Sequence, residues 1–396
     1  MAIDTWAVDY VLLDEKDRIL GDTYGYRDHR TDGMDAEVAK ILPETELYAK
    51  TGIQKQIFNT IYQLMAVKEK EPELLQRAKT LLMLPDYFGF RLTGNKLSEY
   101  TNGSTTQLVN PNTFQWDTDL IRKLGYPEDI FLPLKMPGTK VGQLLPEIQK
   151  EVGFNLEVVL CGSHDTASAV MAVPQTEGDG IYISSGTWSL MGIESLKPII
   201  NEEAAADNFT NEGGYDHRFR FLKNIMGLWM IQSVRHEYND AYSFAQLCEM
   251  AEDSRDFPSR VDVNDPSFLS PDSMVEAIKK YCQKTGQPVP ESVGELASVV
   301  YRSLAQSYGE TVSSLEKIAG RTYDSIHIIG GGSNAAYLNQ LTADATGKTV
   351  YAGPGEATAI GNLLAQMIYA EELTDLKSAR QCVRDSFEIK TFVPAK

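Results

Sequence analysis

The 396-residue sequence has few of the residues that build metal centres or disulfide frameworks. Its 4 cysteines include no Cys-x-x-Cys pair, and its 5 histidines are far apart and show no metal-ligand spacing. A zinc site of the common kinds is therefore excluded, and reduced thiols are favoured. We expect a cytoplasmic protein whose fold depends on neither disulfides nor a structural metal.

Positive charge and long apolar runs are also scarce. The chain has 37 Lys and Arg residues against 55 Asp and Glu residues, which gives a formal net charge of −18. That balance argues against a nucleic-acid or anionic-membrane partner. No run approaches the roughly 18 apolar residues of a membrane span, and the first ten residues lack the pattern of a secretory signal. Any phosphate-bearing ligand must then be held by backbone amides, a metal ion or single cations.

The most informative stretch covers residues 158–191, which hold two apolar runs, each ending in small polar residues. The first run predicts a buried strand, and the alanine-rich segment after it predicts a helix. Three polar residues lie where that strand gives way to the helix: His164, Asp165 and Thr166. The second run ends in Ser184-Ser185-Gly186-Thr187, a turn whose amides and hydroxyls suit an anion. These residues alone leave a simpler interpretation open, a helix cap followed by a hairpin turn.

The C-terminal half alternates predicted strands and helices. The predicted order is helix 293–318, strand 325–329, glycine turn 330–334, helix 337–345, strand 348–351 and helix 357–371. This alternation predicts an α/β fold. Elsewhere, strands are predicted at residues 3–13 and 18–27, and Pro271 at the first helical position predicts a helix that runs to Lys284.

The triple glycine at residues 330–332 admits more than one interpretation. Gly330-x-Gly332-x-x-Ala335 formally matches a dinucleotide-binding turn, but the next strand lacks the acidic residue that would hold a ribose. Gly347-Lys348-Thr349 resembles the end of a phosphate loop, yet it follows a helix and precedes a strand, the reverse of the required order. The remaining interpretation is that the glycines let an adenosine lie flat against the backbone at a helix N-terminus.

Taken together, the motifs resemble those of the FGGY carbohydrate kinases, over nearly the whole length of the chain. The segments that carry the resemblance are Asp4-Thr5-Trp6-Ala7-Val8-Asp9, Tyr26-Arg27-Asp28, Leu84-Pro85-Asp86-Tyr87-Phe88, Glu99-Tyr100-Thr101-Asn102, Ser163-His164-Asp165-Thr166-Ala167-Ser168-Ala169, Ser184-Ser185-Gly186-Thr187-Trp188-Ser189-Leu190-Met191-Gly192, Thr210-Asn211-Glu212-Gly213-Gly214, Lys223-Asn224-Ile225-Met226-Gly227-Leu228-Trp229 and Gly330-Gly331-Gly332.

The resemblance implies an α/β fold of two actin-like (ribonuclease H-like) lobes, with the sugar and ATP between them. Residues 1–174 would form the sugar-binding lobe, and residues 175–396 the nucleotide-binding lobe. The implied reaction transfers the γ-phosphoryl group of ATP to the 1-hydroxyl of L-rhamnulose, with Mg²⁺ as the cofactor, in L-rhamnose catabolism. Neither a nucleic acid nor a membrane is expected as a partner.

The resemblance also assigns roles to individual residues. Asp165 would be the catalytic base that accepts the proton of the attacking hydroxyl, a task that suits a carboxylate ionised at neutral pH. The implied sugar-binding residues are Ala7, where relatives often have Gly, together with His164, Asp165, Thr166 and Asn224. The implied ATP-binding residues are Thr187, Gln232 and Gly332. The side-chain amides of Asn224 and Gln232 give little indication of a function by their chemistry alone. The resemblance makes a functional role for both residues more strongly expected.

The sequence departs from the family pattern at its beginning. The family pattern includes an Asp-Leu-Gly-type strand and a glycine hairpin that hold the ATP phosphates, and here the sequence starts at the later Asp4-Thr5-Trp6 strand. We therefore expect the first lobe to be incomplete at its N-terminus and the activity to be impaired. Two alternatives follow, a non-catalytic sugar-binding remnant and a kinase of another ketose.

Overall fold

Short strands and helices alternate along the chain in the computed structural model, which describes residues 1–175 and 180–395. The strands of this part are β1 (Tyr10–Leu13), β2 (Thr80–Met83), β3 (Ser98–Glu99), β4 (Val109–Asn110), β5 (Gln115–Trp116), β6 (Leu134–Lys135), β7 (Lys140–Gln143), β8 (Glu157–Val159), β9 (Ile181–Ser185), β10 (Trp188–Ser195), β11 (Thr210–Gly213), β12 (Phe219–Met226), β13 (Ser325–Ile329), β14 (Thr349–Ala352) and β15 (Lys390–Phe392).

The α-helices of the same part are α1 (Met34–Ile41), α2 (Glu44–Thr51), α3 (Thr60–Lys70), α4 (Pro72–Arg77), α5 (Leu84–Thr93), α6 (Tyr100–Gly103), α7 (Thr118–Leu124), α8 (Pro146–Val152), α9 (Asp165–Met171), α10 (Glu202–Ala206), α11 (Trp229–Glu237), α12 (Phe244–Asp253), α13 (Met274–Lys284), α14 (Val293–Ala319), α15 (Ala336–Thr346), α16 (Ala357–Tyr369) and α17 (Leu376–Ser386). Short 3-10 helices cover His29–Thr31, Ser104–Thr106, Glu128–Ile130, Tyr215–His217, Pro266–Phe268 and Gly331–Asn334.

Two compact units divide the chain, and each is built from three separate segments. Unit 1 comprises Met1–Met171, Glu194–Phe221 and Thr358–Ala379. Unit 2 comprises Ala172–Ile193, Leu222–Ala357 and Arg380–Lys396. The domain division after residue 174 stays a prediction.

The largest sheet has seven strands in the order β11-β12-β10-β9-β13-β14-β15. Strand β13 runs parallel to both β9 and β14, whereas β10 and β15 run antiparallel to their neighbours β9 and β14. The parallel pair β9 and β13 places isoleucines side by side, and all of them are fully buried: Ile181, Ile183, Ile326 and Ile328. Removing each such side chain from water contributes about 1.5–3 kcal/mol.

The core of unit 1 forms around the antiparallel pair β1 and β2 and the buried helix α3. Its members include Tyr10, Leu12, Ile61, Leu64, Met65, Leu81 and Met83. Eight of the eleven residues of α3 are buried. This packing fixes β1 and the backbone just before it, where the predicted sugar contact Ala7 lies.

Several predicted elements are confirmed by the structure. Strand β13 has the predicted bounds, and α14 differs from the prediction by a single residue at its end. Ser292 begins α14 with a capping box, in which its side chain accepts from Glu295 N–H and the Glu295 side chain accepts from Ser292 N–H. Reciprocal capping of this kind explains why a helix of that length has a sharp start.

Three predicted elements are wrong in their bounds. The strand predicted over residues 3–13 is regular only in β1, because Val8 takes a left-handed φ of 70° that breaks the extended run. Residues 18–27 form only an isolated bridge at Ile19. The helix predicted from Pro271 begins at Met274, because the Ser273 side chain caps it by accepting from Glu276 N–H.

Among the described residues, no helix combines the length and the apolar character that crossing a membrane requires.

Candidate active site

The corner between β8 and α9 in unit 1 carries the predicted base, Asp165. The Asp165 side chain is 44% exposed, and its Oδ1 accepts hydrogen bonds from Thr166 N–H at 2.6 Å and from Thr166 Oγ1 at 3.2 Å. His164 Nε2 also lies 3.4 Å from Oδ1. In the part of the chain that the structure describes, Oδ2 has no hydrogen-bond partner. The carboxylate is therefore anchored by one oxygen and presents the other.

Backbone contacts bring the segment of Ala7 beside this corner. Thr5 bridges His164 in a parallel fashion: Thr5 N–H donates to Ser163 O at 3.0 Å, and Asp165 N–H donates to Thr5 O at 2.9 Å. The Asn102 amide donates to Trp6 O at 3.4 Å and to Ser163 O at 3.3 Å, which ties the two segments together. Four of the five predicted sugar-binding residues thus gather in unit 1.

Val8, directly after Ala7, is held in an unusual backbone conformation. A β-branched residue at a φ of 70° is strained, since its side chain crowds its own backbone. Its carbonyl oxygen accepts from Thr60 Oγ1 at 2.7 Å and from Gln63 Nε2 at 3.2 Å, both on α3. The buried helix therefore fixes the turn that contains Ala7.

The buried carboxylate of Glu99 stabilises the same corner between β8 and α9. Glu99 is completely buried and accepts five hydrogen bonds: from Thr101 N–H, Thr101 Oγ1, Asn102 N–H, Ser163 N–H and Ser163 Oγ. Burial raises the pKa of the Glu99 carboxyl, and the hydrogen bonds from Ser163 and Thr101 oppose that rise. Because Ser163 precedes His164, this network fixes where α9 begins.

His164 is itself buried, and charged groups surround its other ring nitrogen. Nδ1 lies 2.9 Å from Arg220 Nη2 and 3.3 Å from Glu212 Oε2, and Arg220 Nη2 donates to Glu212 Oε2 at 3.0 Å. Burial by itself raises the pKa of Glu212, but the charge of Arg220 is the largest of the opposing effects, and the pKa lies below the ordinary value. The imidazole thus connects a buried ion pair to Asp165.

In unit 2, the predicted ATP-binding residues gather around the hairpin between β9 and β10. Thr187 is exposed at the tip of this hairpin. Ser184 and Ser185, predicted as part of the turn, belong to β9 instead. Leu228 N–H donates to Gly186 O at 2.9 Å and Trp229 N–H donates to Thr187 O at 3.1 Å, so the start of α11 is attached to the tip. Gln232 lies on the first turn of that helix.

Gly332 packs against the same hairpin with no room for a side chain. A Cβ atom added at Gly332 would lie 2.0 Å from Ser185 Oγ, whereas one added at Gly331 would meet nothing within 4 Å. Gly330 has a φ of 83°, which glycine adopts without strain. The glycine turn predicted to bind adenosine is therefore packed closely against Ser185 at the end of β9.

Asn224, the remaining predicted sugar-binding residue, lies in the part of β12 that belongs to unit 2. Its Oδ1 is buried and has no hydrogen-bond partner in residues 1–175 and 180–395. An unpaired buried acceptor is costly, and such atoms in native structures call for an explanation. A ligand hydroxyl that donates to this oxygen would supply one.

Two family models match most of the sequence. The N-terminal domain model of the FGGY family of carbohydrate kinases matches residues 1–172, and the C-terminal domain model matches residues 181–370. The chain belongs to this family. Its predicted membership and its predicted α/β two-lobe kinase fold are thereby confirmed.

Individual relatives agree with the family models. The chain is 54% identical to a rhamnulokinase of Halalkalibacterium halodurans, an alignment that covers 100% of this chain and 84% of that protein. It is 47% identical to a rhamnulokinase of Bacillus subtilis, covering 100% of this chain and 81% of that protein. A solved xylulose kinase from Rhodospirillum rubrum is 16% identical and superposes with a TM-score of 0.77, covering 100% of this chain and 79% of that one.

Among the residues that the structure describes, the side chains of this FGGY kinase do not form an all-protein metal site. Within the described residues, no three His, Cys, Asp or Glu side chains lie close enough together to hold a metal ion. Mg²⁺ in kinases is commonly bound by substrate phosphates and one or two carboxylates, with water as the remaining ligands. The predicted Mg²⁺ therefore stays a prediction, and the described residues do not fit a site that holds it without the nucleotide.

Sequence reasoning did not single out Arg220, Glu212 or Glu99 as functional residues. A signal was present for Arg220, since a charged residue between Phe219 and Phe221 in an apolar strand predicts a buried, partnered charge. The sequence does not indicate that His164 is the partner of Arg220, because the two residues are 56 positions apart.

Proposed function

We propose that the chain transfers the γ-phosphoryl group of ATP to the 1-hydroxyl of L-rhamnulose, giving L-rhamnulose 1-phosphate and ADP. The observation that carries the proposal is the Asp165 carboxylate, which is half exposed and anchored through Oδ1 alone. The relatives named rhamnulokinase, at 41–54% identity over nearly the whole chain, support the choice of sugar.

Asp165 acts as the general base in this proposal. Its Oδ2 accepts the proton of the sugar hydroxyl while the hydroxyl oxygen forms a bond to the γ-phosphorus and the bond from phosphorus to the β,γ-bridging oxygen breaks. The proton then passes to water. Phosphoryl transfer depends on positioning and charge stabilisation more than on covalent chemistry, and a carboxylate with one oxygen fixed suits that need.

Ala7, His164 and Thr166 bind the sugar beside Asp165, with Asn224 as a further sugar contact. Thr187, Gln232 and Gly332 bind ATP. The gathering of the first three around Asp165 in unit 1 supports the sugar assignment. The attachment of α11 and the glycine turn to the β9–β10 hairpin in unit 2 supports the nucleotide assignment. A divalent ion, proposed to be Mg²⁺, accompanies the nucleotide.

A coupled ADP-release assay tests the function. We expect turnover with L-rhamnulose, and we expect Asp165→Asn to lower kcat by about 10³-fold, the usual scale for a lost general base. The matched control is Asp375→Asn. Asp375 also begins a helix in unit 1, where it accepts from Ser378 N–H at 2.7 Å, and its loss should leave kcat unchanged.

A panel of ketoses separates the alternatives. A higher kcat/KM for a ketose other than L-rhamnulose would overturn the choice of sugar and keep the kinase. Sugar binding measured by calorimetry, without ATP turnover and unchanged by Asp165→Ala, would overturn the kinase and favour a sugar-binding protein.

A further inference from the structure

The buried pair of Arg220 and Glu212 stands behind His164, on the side of the ring away from Asp165. We infer that Arg220 is a positioning residue that fixes the tautomer of His164, so that Nε2 carries the ring proton and directs it at Asp165 Oδ1. The inference rests on the proposed function, since it adds a device that orients the proposed base.

The hydrogen-bonding chemistry of arginine decides the tautomer. A guanidinium has five N–H donors and no acceptor, so its contact with Nδ1 at 2.9 Å is favourable only when Nδ1 offers its lone pair. A neutral imidazole that accepts at Nδ1 must carry its proton at Nε2. The Nε2 atom lies 3.4 Å from Asp165 Oδ1, a distance that a catalytic hydrogen bond often has before substrate binds.

Glu212 is the competing partner, because its carboxylate would accept from a proton on Nδ1. Its Oε2 lies 3.3 Å from Nδ1 but 3.0 Å from Arg220 Nη2. The carboxylate is therefore closer to the guanidinium, which neutralises its charge. Arg220 also donates through Nε to Gly213 O at 2.8 Å, so the guanidinium is held in place from a second direction.

The arrangement costs stability, which argues that it is kept for another reason. Arg220 is fully buried, and its Nη1 has no hydrogen-bond partner in the described part of the chain. A buried ion pair is often no more stable than an apolar replacement, and an unpaired buried donor is worse. Orienting His164 supplies a reason to retain the pair.

The consequence for catalysis is that the Asp165 carboxylate is held through Oδ1 and keeps Oδ2 free to accept a proton. Thr166 N–H, Thr166 Oγ1 and His164 Nε2 all approach Oδ1. With a proton on Nε2, three donors hold that oxygen and the carboxylate cannot rotate freely. With the proton on Nδ1 instead, the Nε2 lone pair would face the carboxylate and repel it.

The direct test is the tautomer itself, measured by ¹⁵N NMR of the imidazole nitrogens, with the His164 signals assigned by their loss in His164→Gln. We expect the unaltered protein near neutral pH to show the proton on Nε2. A proton on Nδ1 in the folded protein would overturn the inference without any variant of Arg220.

The kinetic test removes both buried charges at once. We expect Arg220→Met combined with Glu212→Gln to lower kcat about tenfold, the scale of one lost hydrogen bond, with the KM for ATP unchanged. Glu212→Gln alone keeps the Arg220 contact and should retain most of kcat. Arg220→Lys, whose ammonium also donates and cannot accept, is the conservative control and should retain more of kcat than the double variant.

The outcomes separate this inference from the function on which it rests. Full kcat in a folded double variant, together with a dead Asp165→Asn, would overturn the role of Arg220 and leave the base in place. If the double variant does not fold, the ¹⁵N measurement on the unaltered protein decides the role of Arg220. An active Asp165→Asn would overturn the base, while the NMR measurement would still decide the tautomer.

Discussion

The corner that carries Asp165 and the hairpin that carries Thr187 are both junctions at the end of a strand, yet they are held in different ways. In unit 1, the corner depends on buried charged side chains, above all Glu99 and Arg220. In unit 2, the hairpin depends on glycines packed so closely that a Cβ atom has no room, at Gly332 against the Ser185 side chain and at Gly227 against the backbone of residues 188–189. The difference suits the two tasks proposed for them. A base needs an oriented and polar surrounding, and a nucleotide needs backbone amides at close approach.

The largest effect is expected from breaking the charged network of unit 1 with Glu99→Gln. The Glu99 carboxylate accepts five hydrogen bonds. In Glu99→Gln, the side-chain NH₂ group would replace one accepting oxygen and would face N–H and O–H donors. We expect the free energy of unfolding to fall by about 4 kcal/mol, measured by chemical denaturation. Glu295→Gln is the control, since Glu295 is only partly buried and an amide also suits its capping box. Equal stability of the two variants would contradict the role given to Glu99.

The corresponding test in unit 2 is Gly332→Ala, which forces the glycine turn away from Ser185. We expect kcat/KM for ATP to fall about 100-fold, or ~3 kcal/mol, while the KM for the sugar changes little. Gly331→Ala is the matched control, because a Cβ atom there meets nothing within 4 Å. Adding Ser185→Gly to Gly332→Ala should restore part of the loss, and no recovery would argue against the close contact as the cause.

Gly361→Ala sharpens the comparison, because it tests a place where the catalytic corner also relies on close backbone packing. A Cβ atom at Gly361 would lie 1.7 Å from Ser168 O, so α16 must move away from α9. We expect the free energy of unfolding to fall by about 2 kcal/mol, with a reduced kcat as α9 shifts. Leu363→Ala on the same helix is 55% exposed and should have little effect on either quantity.

The smallest effect should come from Asp86→Asn, and its sign should be the opposite of that for Glu99→Gln. Burial and the neighbouring Glu99 carboxyl raise the pKa of Asp86 well above its usual value. Stability contributed by a carboxyl of raised pKa is complete below the unfolded value, near 3.9, and is lost as the pH rises through the folded one. The Asn variant has no such loss, so at pH 7 it should be more stable by about 1 kcal/mol.

Denaturation curves over a range of pH check this prediction. The stability advantage of Asp86→Asn should vanish near pH 3 and grow above pH 4. An advantage that does not change with pH would mean that packing, and not the ionisation of Asp86, explains it.

The sequence predicted the fold better than it predicted the supports of the site. Strand β13, helix α14 and the turn at Gly332 follow from local patterns of hydrophobic spacing, capping residues and glycine, and the structure has them close to the predicted bounds. The strand predicted over residues 3–13 failed because the pull of Thr60 and Gln63 on the Val8 carbonyl is a tertiary contact. The burial of Arg220 could be predicted from its apolar strand, but its role could not, because its partner His164 is remote in sequence.

The three-segment construction of unit 1 has a consequence for how the chain acquires its catalytic corner during synthesis. Helix α9 is made early, but Arg220, which contacts His164, and Gly361, which packs on Ser168, belong to later segments of the same unit. At roughly 5–20 residues per second, the ribosome needs roughly ten to forty seconds to add the residues between Asp165 and Gly361. Throughout that interval α9 lacks the helix that packs against it, so the catalytic corner can be completed only after Gly361 has been synthesised.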